Sequence, residues 1–89
     1  MKIQFSQDGW DDLQYLIAID PKLLQKILIL LKECQRTPFS EIGKPEPLRN
    51  ELKGWWSRRI TQEHRLVYRI TGTAENQTLE IAACRNHYS

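Results

Sequence analysis

One acid and several fixed cations gather in the second half of this 89-residue chain. Glu46 sits in the proline-stiffened stretch Gly43-Lys44-Pro45-Glu46-Pro47. Two arginine-bearing segments follow, Trp56-Ser57-Arg58-Arg59-Ile60 and His64-Arg65-Leu66-Val67-Tyr68, and the last residues bring Arg85, His87 and Tyr88. A base, an acid and fixed cations are what RNA cleavage without a metal requires. A proton leaves a ribose 2′-hydroxyl, extra charge on the phosphate is steadied, and a proton returns to the leaving oxygen. A histidine titrates near neutrality, which suits His87 to proton transfer. Arginine forks at Arg59 and Arg65 suit the second.

The elements that must hold these residues can be read from the pattern. Lys2 to Ser6 alternates polar and apolar, as a half-buried strand does. Ser6 caps a helix expected over about 7–18, with Trp10, Leu13 and Ile17 on one face. Asp20-Pro21 starts a second helix, which stops before Thr37-Pro38. Its apolar set (Leu23, Leu24, Ile27, Leu28, Leu30, Leu31 and Cys34) spans an arc of roughly 160°, wider than one core-facing stripe. Either the helix is pinched between a sheet and the first helix, or a partner chain covers the surplus.

The stretch 37–53 reads as an ordered loop, with Glu46 held extended because the residue before a proline avoids helix. Strands are expected at about 55–60, 64–71 and 78–85, with a polar turn from Gly72 to Gln77. If Arg59 lies opposite Arg65, then Trp56, Arg58, Ile60, His64, Leu66, Tyr68 and Ile70 share one apolar face. Trp55, Ser57, Arg59, Arg65, Val67 and Arg69 share the other. Facing arginines repel, and an anionic ligand would relieve them. Arg58, on the helix side, is the better candidate for salt bridges with Glu63 or Glu80. Arg69 reads as a surface residue or an RNA contact, and His64 as structural.

Composition sets the outer limits. One domain over 1–89 is expected. The net charge of +2 is low for a general nucleic-acid coat, whose affinity scales with the phosphates it neutralises. Cys34 and Cys84 do not form a secreted disulfide framework or a zinc-ligand spacing. With no apolar run long enough for a membrane and no signal peptide, the expected compartment is the cytosol.

The chain resembles the YoeB (Txe) toxins of bacterial toxin–antitoxin modules, within the RelE/ParE superfamily. The segments that carry the resemblance are Gly43-Lys44-Pro45-Glu46-Pro47-Leu48, Trp56-Ser57-Arg58-Arg59-Ile60-Thr61, Glu63-His64-Arg65-Leu66-Val67-Tyr68 and Ile81-Ala82-Ala83-Cys84-Arg85. The resemblance implies an α+β fold, a small antiparallel sheet with two N-terminal helices on one face in the order β-α-α-β-β-β. It implies a ribosome-dependent, metal-independent endoribonuclease that cuts mRNA in the ribosomal A site and needs no cofactor. It implies a YefM-like antitoxin, operator DNA reached only through that antitoxin, and a homodimer, common in that family. By the same carry-over Glu46 is the general base, His87 the general acid and Arg65 the residue that steadies the phosphate. Arg59, Tyr88, Arg49, Lys44 and Trp55 are expected RNA contacts, Arg49 standing where the family often has lysine. The end departs from the usual Arg-Tyr-His-Tyr, reading Arg85-Asn86-His87-Tyr88-Ser89. The alternative is a binding module of the same fold without catalysis, such as a gyrase poison or a decayed toxin. The set Glu46, Arg65 and His87 discriminates, since a gyrase poison has no use for a base and an acid around a phosphate.

Overall fold

The structure is a computed structural model that describes residues 1–39 and 45–85. Lys44, Asn86, His87, Tyr88 and Ser89 therefore lie outside the described residues. The elements run β1 (Lys2–Phe5), α1 (Gln7–Ile19), α2 (Leu23–Arg36), β2 (Glu46–Pro47), β3 (Trp56–Arg59), β4 (Arg65–Thr73) and β5 (Asn76–Ala83). The strands form one sheet in the order β1-β5-β4-β3-β2. Strands β2 to β5 are antiparallel, as expected, while β1 joins the edge parallel to β5. The connection from β1 runs through the helices and the rest of the sheet, which leaves enough chain for a parallel return.

Ser6 caps α1 as its position suggested, accepting from the Gly9 amide at 3.0 Å. The same hydroxyl donates to the Ala82 carbonyl at 2.9 Å, so the cap also docks the helix on β5. The buried side of α1 is Gly9 and Leu16, with Leu13 packed against the core and Ile17 half-buried, so it is rotated from the face of Trp10, Leu13 and Ile17 that the spacing grouped. Trp10 stays exposed and meets Phe5 edge-on at 5.7 Å. Gly9 explains the rotation, because a Cβ there would stand 2.7 Å from the Ile81 carbonyl oxygen. Helix propensity favours alanine by about 1 kcal/mol, yet Gly9→Ala is expected to destabilise by roughly 2 kcal/mol because backbone cannot move aside as a side chain does. A thermal melt at or above the wild-type temperature would contradict this docking.

The second helix begins two residues later than Pro21. Asp20 and Pro21 instead form a turn, in which the Asp20 carboxylate accepts from the Lys22 amide at 3.2 Å and its carbonyl from the Leu23 amide at 3.0 Å. Ile27, Leu30, Leu31 and Cys34 are buried, while Leu24, Leu28 and Ile29 remain exposed. The wide apolar arc is thus only partly used within the chain. Leu28 and Ile29 line an open groove with Ile3 of β1. Among the described residues no helix is long and apolar enough to cross a membrane.

The β4–β5 turn is tighter than expected. Both strands continue until Thr73 pairs with Asn76. Gly72, at φ 94°, permits it; a Cβ there would lie 2.1 Å from the Asn76 carbonyl oxygen. Further along, Val67 pairs with Ala83 but Tyr68 with Ile81, so Ala82 is an extra residue. Such a bulge reverses which face the following residues take. Leu79 and Ile81 face the helices, and so does Cys84, whereas Ala83 joins Leu48 and Val67 on the opposite face.

Both cysteines are free and buried. Burial pushes the Cys34 thiol up to about 11, against a smaller lowering by Arg58. Burial, with a contribution from Asp12, pushes Cys84 up to about 12. The folded chain holds these protons to higher pH than the unfolded chain does, so this contribution is complete below the ordinary value of 9.0 and is lost as pH rises through about 11 to 12. A disulfide reagent at pH 8 is expected to find almost no reactive thiol in the native protein and both after urea. Rapid native-state modification of either would contradict the packing of that cysteine.

Candidate active site

Register brings the charged groups together. Arg59 stands opposite Arg65, as the alternation requires, with Ser57 opposite Val67 and Trp56 opposite Tyr68. On its other side β3 pairs with β2, setting Glu46 opposite Ser57 and Pro47 opposite Trp56. The sequence indicated extended backbone at Glu46, and the structure adds that this backbone is a two-residue edge strand. Pro47 is tolerated there because an edge strand leaves one side of its backbone unpaired. Glu46 is thus tied to the sheet immediately beside the arginine strands.

Arg65 is the centre of the arrangement. It is 2 % exposed, although the alternation suggested an open arginine face. Leu48, Val67 and Ala83, with Leu52 and Trp55 against them, form a second small apolar cluster on that face. Within it the Arg65 Nε donates to Ser57 Oγ at 2.9 Å and one Nη to the Ser57 carbonyl at 3.4 Å. The same Nη lies 3.7 Å from a Glu46 carboxylate oxygen. The Glu46 side chain keeps 63 % of its surface in solvent. The pair therefore joins a rigid cation to an accessible acid. Burying a guanidinium is costly unless its donors are engaged, and Ser57 and Glu46 engage them. Ser57 was missed from sequence; its signal was a small hydroxyl placed between two tryptophan- and arginine-bearing positions on the arginine face.

The remaining expected RNA contacts differ in their settings. Arg59 and Arg49 are exposed. Arg49 precedes a short 3-10 turn at Asn50–Leu52, in which Asn50 takes a φ of 59°, a conformation asparagine tolerates better than most residues. Trp55 is partly buried, and the Arg69 guanidinium lies over its ring at 4.4 Å. Arg69 also donates to Glu80 at 3.0 and 3.2 Å. Thr71 donates to the other Glu80 oxygen at 2.6 Å. The Thr71 hydroxyl, and then Arg69, hold the Glu80 carboxyl below its ordinary value.

Arg58 does not make the salt bridges expected of it. It is fully buried on the helix side, where its Nε donates to Tyr68 Oη at 3.1 Å and an Nη to the Thr37 carbonyl. Tyr68 in turn donates to the Pro38 carbonyl. Glu63 instead lies 3.8 Å from His64, and Glu80 belongs to Arg69. His64 is buried in the β3–β4 turn, its carbonyl accepting from the Ile60 and Thr61 amides and its own amide donating to Thr61 Oγ1, in keeping with a structural role.

Residues around the end of β5 are pinned to α1. The Cys84 amide donates to Asp12 at 3.0 Å, and the Arg85 guanidinium lies 3.7 Å from the centroid of the Tyr15 ring. These contacts fix the chain just before the tail that carries His87 and Tyr88. Those two residues and Lys44 fall outside the described part, so the structure brings together Glu46 and Arg65, with Arg59 on the same hairpin.

Known proteins share this framework. A sequence model of the family described as YoeB-like toxin of bacterial type II toxin-antitoxin system matches residues 5–88. The toxin YoeB of Escherichia coli K12 is 51 % identical over 99 % of this chain and 100 % of its own length. A solved YoeB dimer from Staphylococcus aureus superposes with a TM-score of 0.84 at 42 % identity, covering 99 % of this chain and 98 % of that one. The toxin of a heterotetrameric YoeB–YefM toxin–antitoxin complex from the same organism gives 0.83 at 40 % identity, with the same coverage of 99 % and 98 %. The chain belongs to the family of YoeB-like toxins of bacterial type II toxin–antitoxin systems.

Proposed function

We propose that this toxin is a ribosome-dependent, metal-independent endoribonuclease that cleaves mRNA in the ribosomal A site. The observation that carries the reading is the exposed Glu46 carboxylate 3.7 Å from a buried Arg65 whose Nε and one Nη donate to Ser57. Glu46 takes the proton from the ribose 2′-hydroxyl, and that oxygen attacks the adjacent phosphorus. Charge accumulates on the phosphate oxygens as phosphorus becomes five-coordinate, and Arg65, already held in place, meets it without reorganising. Arg59, across the strand pair, supplies a second cation, and the phosphate relieves the repulsion between the two. His87 protonates the departing 5′ oxygen. The products are a 2′,3′-cyclic phosphate and a 5′-hydroxyl. Arg49, Lys44, Trp55 and Tyr88 hold the flanking RNA.

In this reading a YefM-like antitoxin neutralises the toxin and carries the operator DNA contact. The complex with YefM and the dimer known for the S. aureus relatives support an antitoxin partner and self-association. The exposed Leu24, Leu28 and Ile29 on α2 supply apolar surface for a partner chain.

The test is cleavage on ribosomes programmed with a defined mRNA. The wild type is expected to cut within the A-site codon in the presence of a chelator. Glu46→Gln keeps the shape but removes the base, and is expected to slow single-turnover cleavage by about 10²- to 10⁴-fold. Absence of ribosome-dependent cuts with the wild type, or full activity of Glu46→Gln, would overturn the proposal.

A further inference from the structure

The proposed chemistry leaves Arg69 without a task, yet several contacts hold this partly exposed side chain. Its Nε and one Nη both donate to a single Glu80 oxygen, at 3.2 and 3.0 Å, and Thr71 fixes the other oxygen of that carboxylate at 2.6 Å. The guanidinium lies over the Trp55 ring at 4.4 Å. Its side chain nonetheless remains 43 % exposed. A phosphate contact would be built differently. Here Glu80 takes two of the five N–H donors and offsets the positive charge, which weakens the pull on an anion. What the arrangement presents is a planar group in a fixed orientation, backed by an aromatic ring.

We propose that Trp55 and Arg69 form a stacking platform for one unpaired nucleobase of RNA. Guanidinium planes and aromatic rings both stack on bases, and neither demands a particular base. The platform rests on the proposed action on RNA and extends that site. Arg65, Val67 and Arg69 alternate along β4 on one side of the sheet, and Trp55 precedes the Trp56–Tyr68 pair. Four residues of strand separate Arg69 from Arg65, about 13 Å at the usual rise. The base so held therefore lies beyond the scissile phosphate, in the direction away from the Arg59–Arg65 end of the hairpin. Its role is to fix the RNA or the ribosome against the toxin, with no part in proton transfer.

The experiment measures binding separately from chemistry. The toxin is titrated onto ribosomes programmed with an mRNA whose nucleotide at the cleavage position is 2′-deoxy, which removes the attacking hydroxyl. Arg69→Ala and Arg69→Lys are both expected to raise Kd by about tenfold, with melting temperatures close to wild type. Arg69→Lys keeps the charge and loses the plane, so wild-type affinity in that variant would replace the platform with a simple charge contact and overturn the proposal. Wild-type affinity in Arg69→Ala would overturn it as well. Abasic substitutions, placed one at a time around the cleaved nucleotide, locate the base. An abasic position that weakens the wild type but not Arg69→Ala assigns it to the mRNA. If no position responds while both Arg69 variants still bind weakly, the base belongs to ribosomal RNA. Cleavage of the all-ribonucleotide mRNA is followed in parallel. Its absence with the wild type would sink the nuclease reading while leaving the Arg69-dependent binding to stand or fall on its own.

Discussion

Arg65→Met is expected to lower single-turnover cleavage by about 10²- to 10³-fold while leaving the melting temperature at or above that of the wild type. The two halves of this expectation have one cause. Arg65 is 2 % exposed, with its Nε and one Nη on Ser57 and the Glu46 carboxylate 3.7 Å away. Such a charge is retained at a desolvation cost that a methionine of similar length avoids. The groups left behind tolerate the change. Glu46 is largely in water, and the Ser57 hydroxyl can rotate to another partner. The reaction loses a preorganised cation at the point where negative charge grows, and no other described side chain replaces it. Arg65→Lys separates charge from geometry. A lysine cannot span Ser57 and a phosphate with one planar fork, so it is expected to recover only a small part of the rate. Cleavage within tenfold of wild type for Arg65→Met, or a large fall in its melting temperature, would show that Arg65 serves the fold instead.

Much of this site was legible because alternation on paired strands constrains partners strongly. Matching the apolar sets of the two arginine strands required Arg59 to face Arg65, and that is the register observed. The helix-facing assignment of Arg58 and Tyr68 followed from the same parity. Alternation names a face but says nothing of what covers it. Leu48 and Leu52 come from an irregular stretch, and they turn the arginine face into a second packed cluster. The placement of Ala83 depends on the bulge at Ala82, which no local propensity announces. A two-residue strand at Glu46 is too short to produce a periodic signal. The exposed Trp10 was misread because spacing alone cannot see the Ile81 carbonyl that Gly9 approaches. The partners of Arg58 were misassigned for a related reason, and Glu80 went to Arg69 instead. The choice was made by a backbone carbonyl and cross-strand neighbours fixed only in the folded chain.

Arg58→Ala is expected to be the most destabilising single change outside the apolar core, at roughly 3 to 5 kcal/mol from the cavity and the polar groups it would leave. For a chain of this length that is a large share of the total, and the midpoint of thermal unfolding should fall by roughly 15 °C or more. The guanidinium is fully buried, joins the Tyr68 hydroxyl to the Thr37 carbonyl, and so closes the C-terminal end of α2 against β3 and β4. Removing it orphans a helix-terminal carbonyl and leaves space that the Cys34 and Tyr68 side chains cannot fill without moving. Arg58→Met, which restores most of the volume, is expected to recover about half of the loss. Tyr68→Phe removes only the hydroxyl that Arg58 and the Pro38 carbonyl share, and should cost about 1 to 2 kcal/mol. Because the two side chains belong to one network, the double variant should be less destabilised than the sum by at least 0.5 kcal/mol or so. The same contacts bear on catalysis. Thr37 and Pro38 begin the segment that leads to Glu46, and Phe39 packs on Trp56 at 4.8 Å, the residue whose backbone pairs with Pro47. Cleavage by Tyr68→Phe, measured well below its melting point, should therefore slow in the chemical step rather than in ribosome binding. Additive stabilities in the double variant would show that Arg58 and Tyr68 act independently. An unchanged chemical rate in Tyr68→Phe would confine the network to holding the fold, and would leave the positioning of Glu46 to its pairing with Ser57 alone.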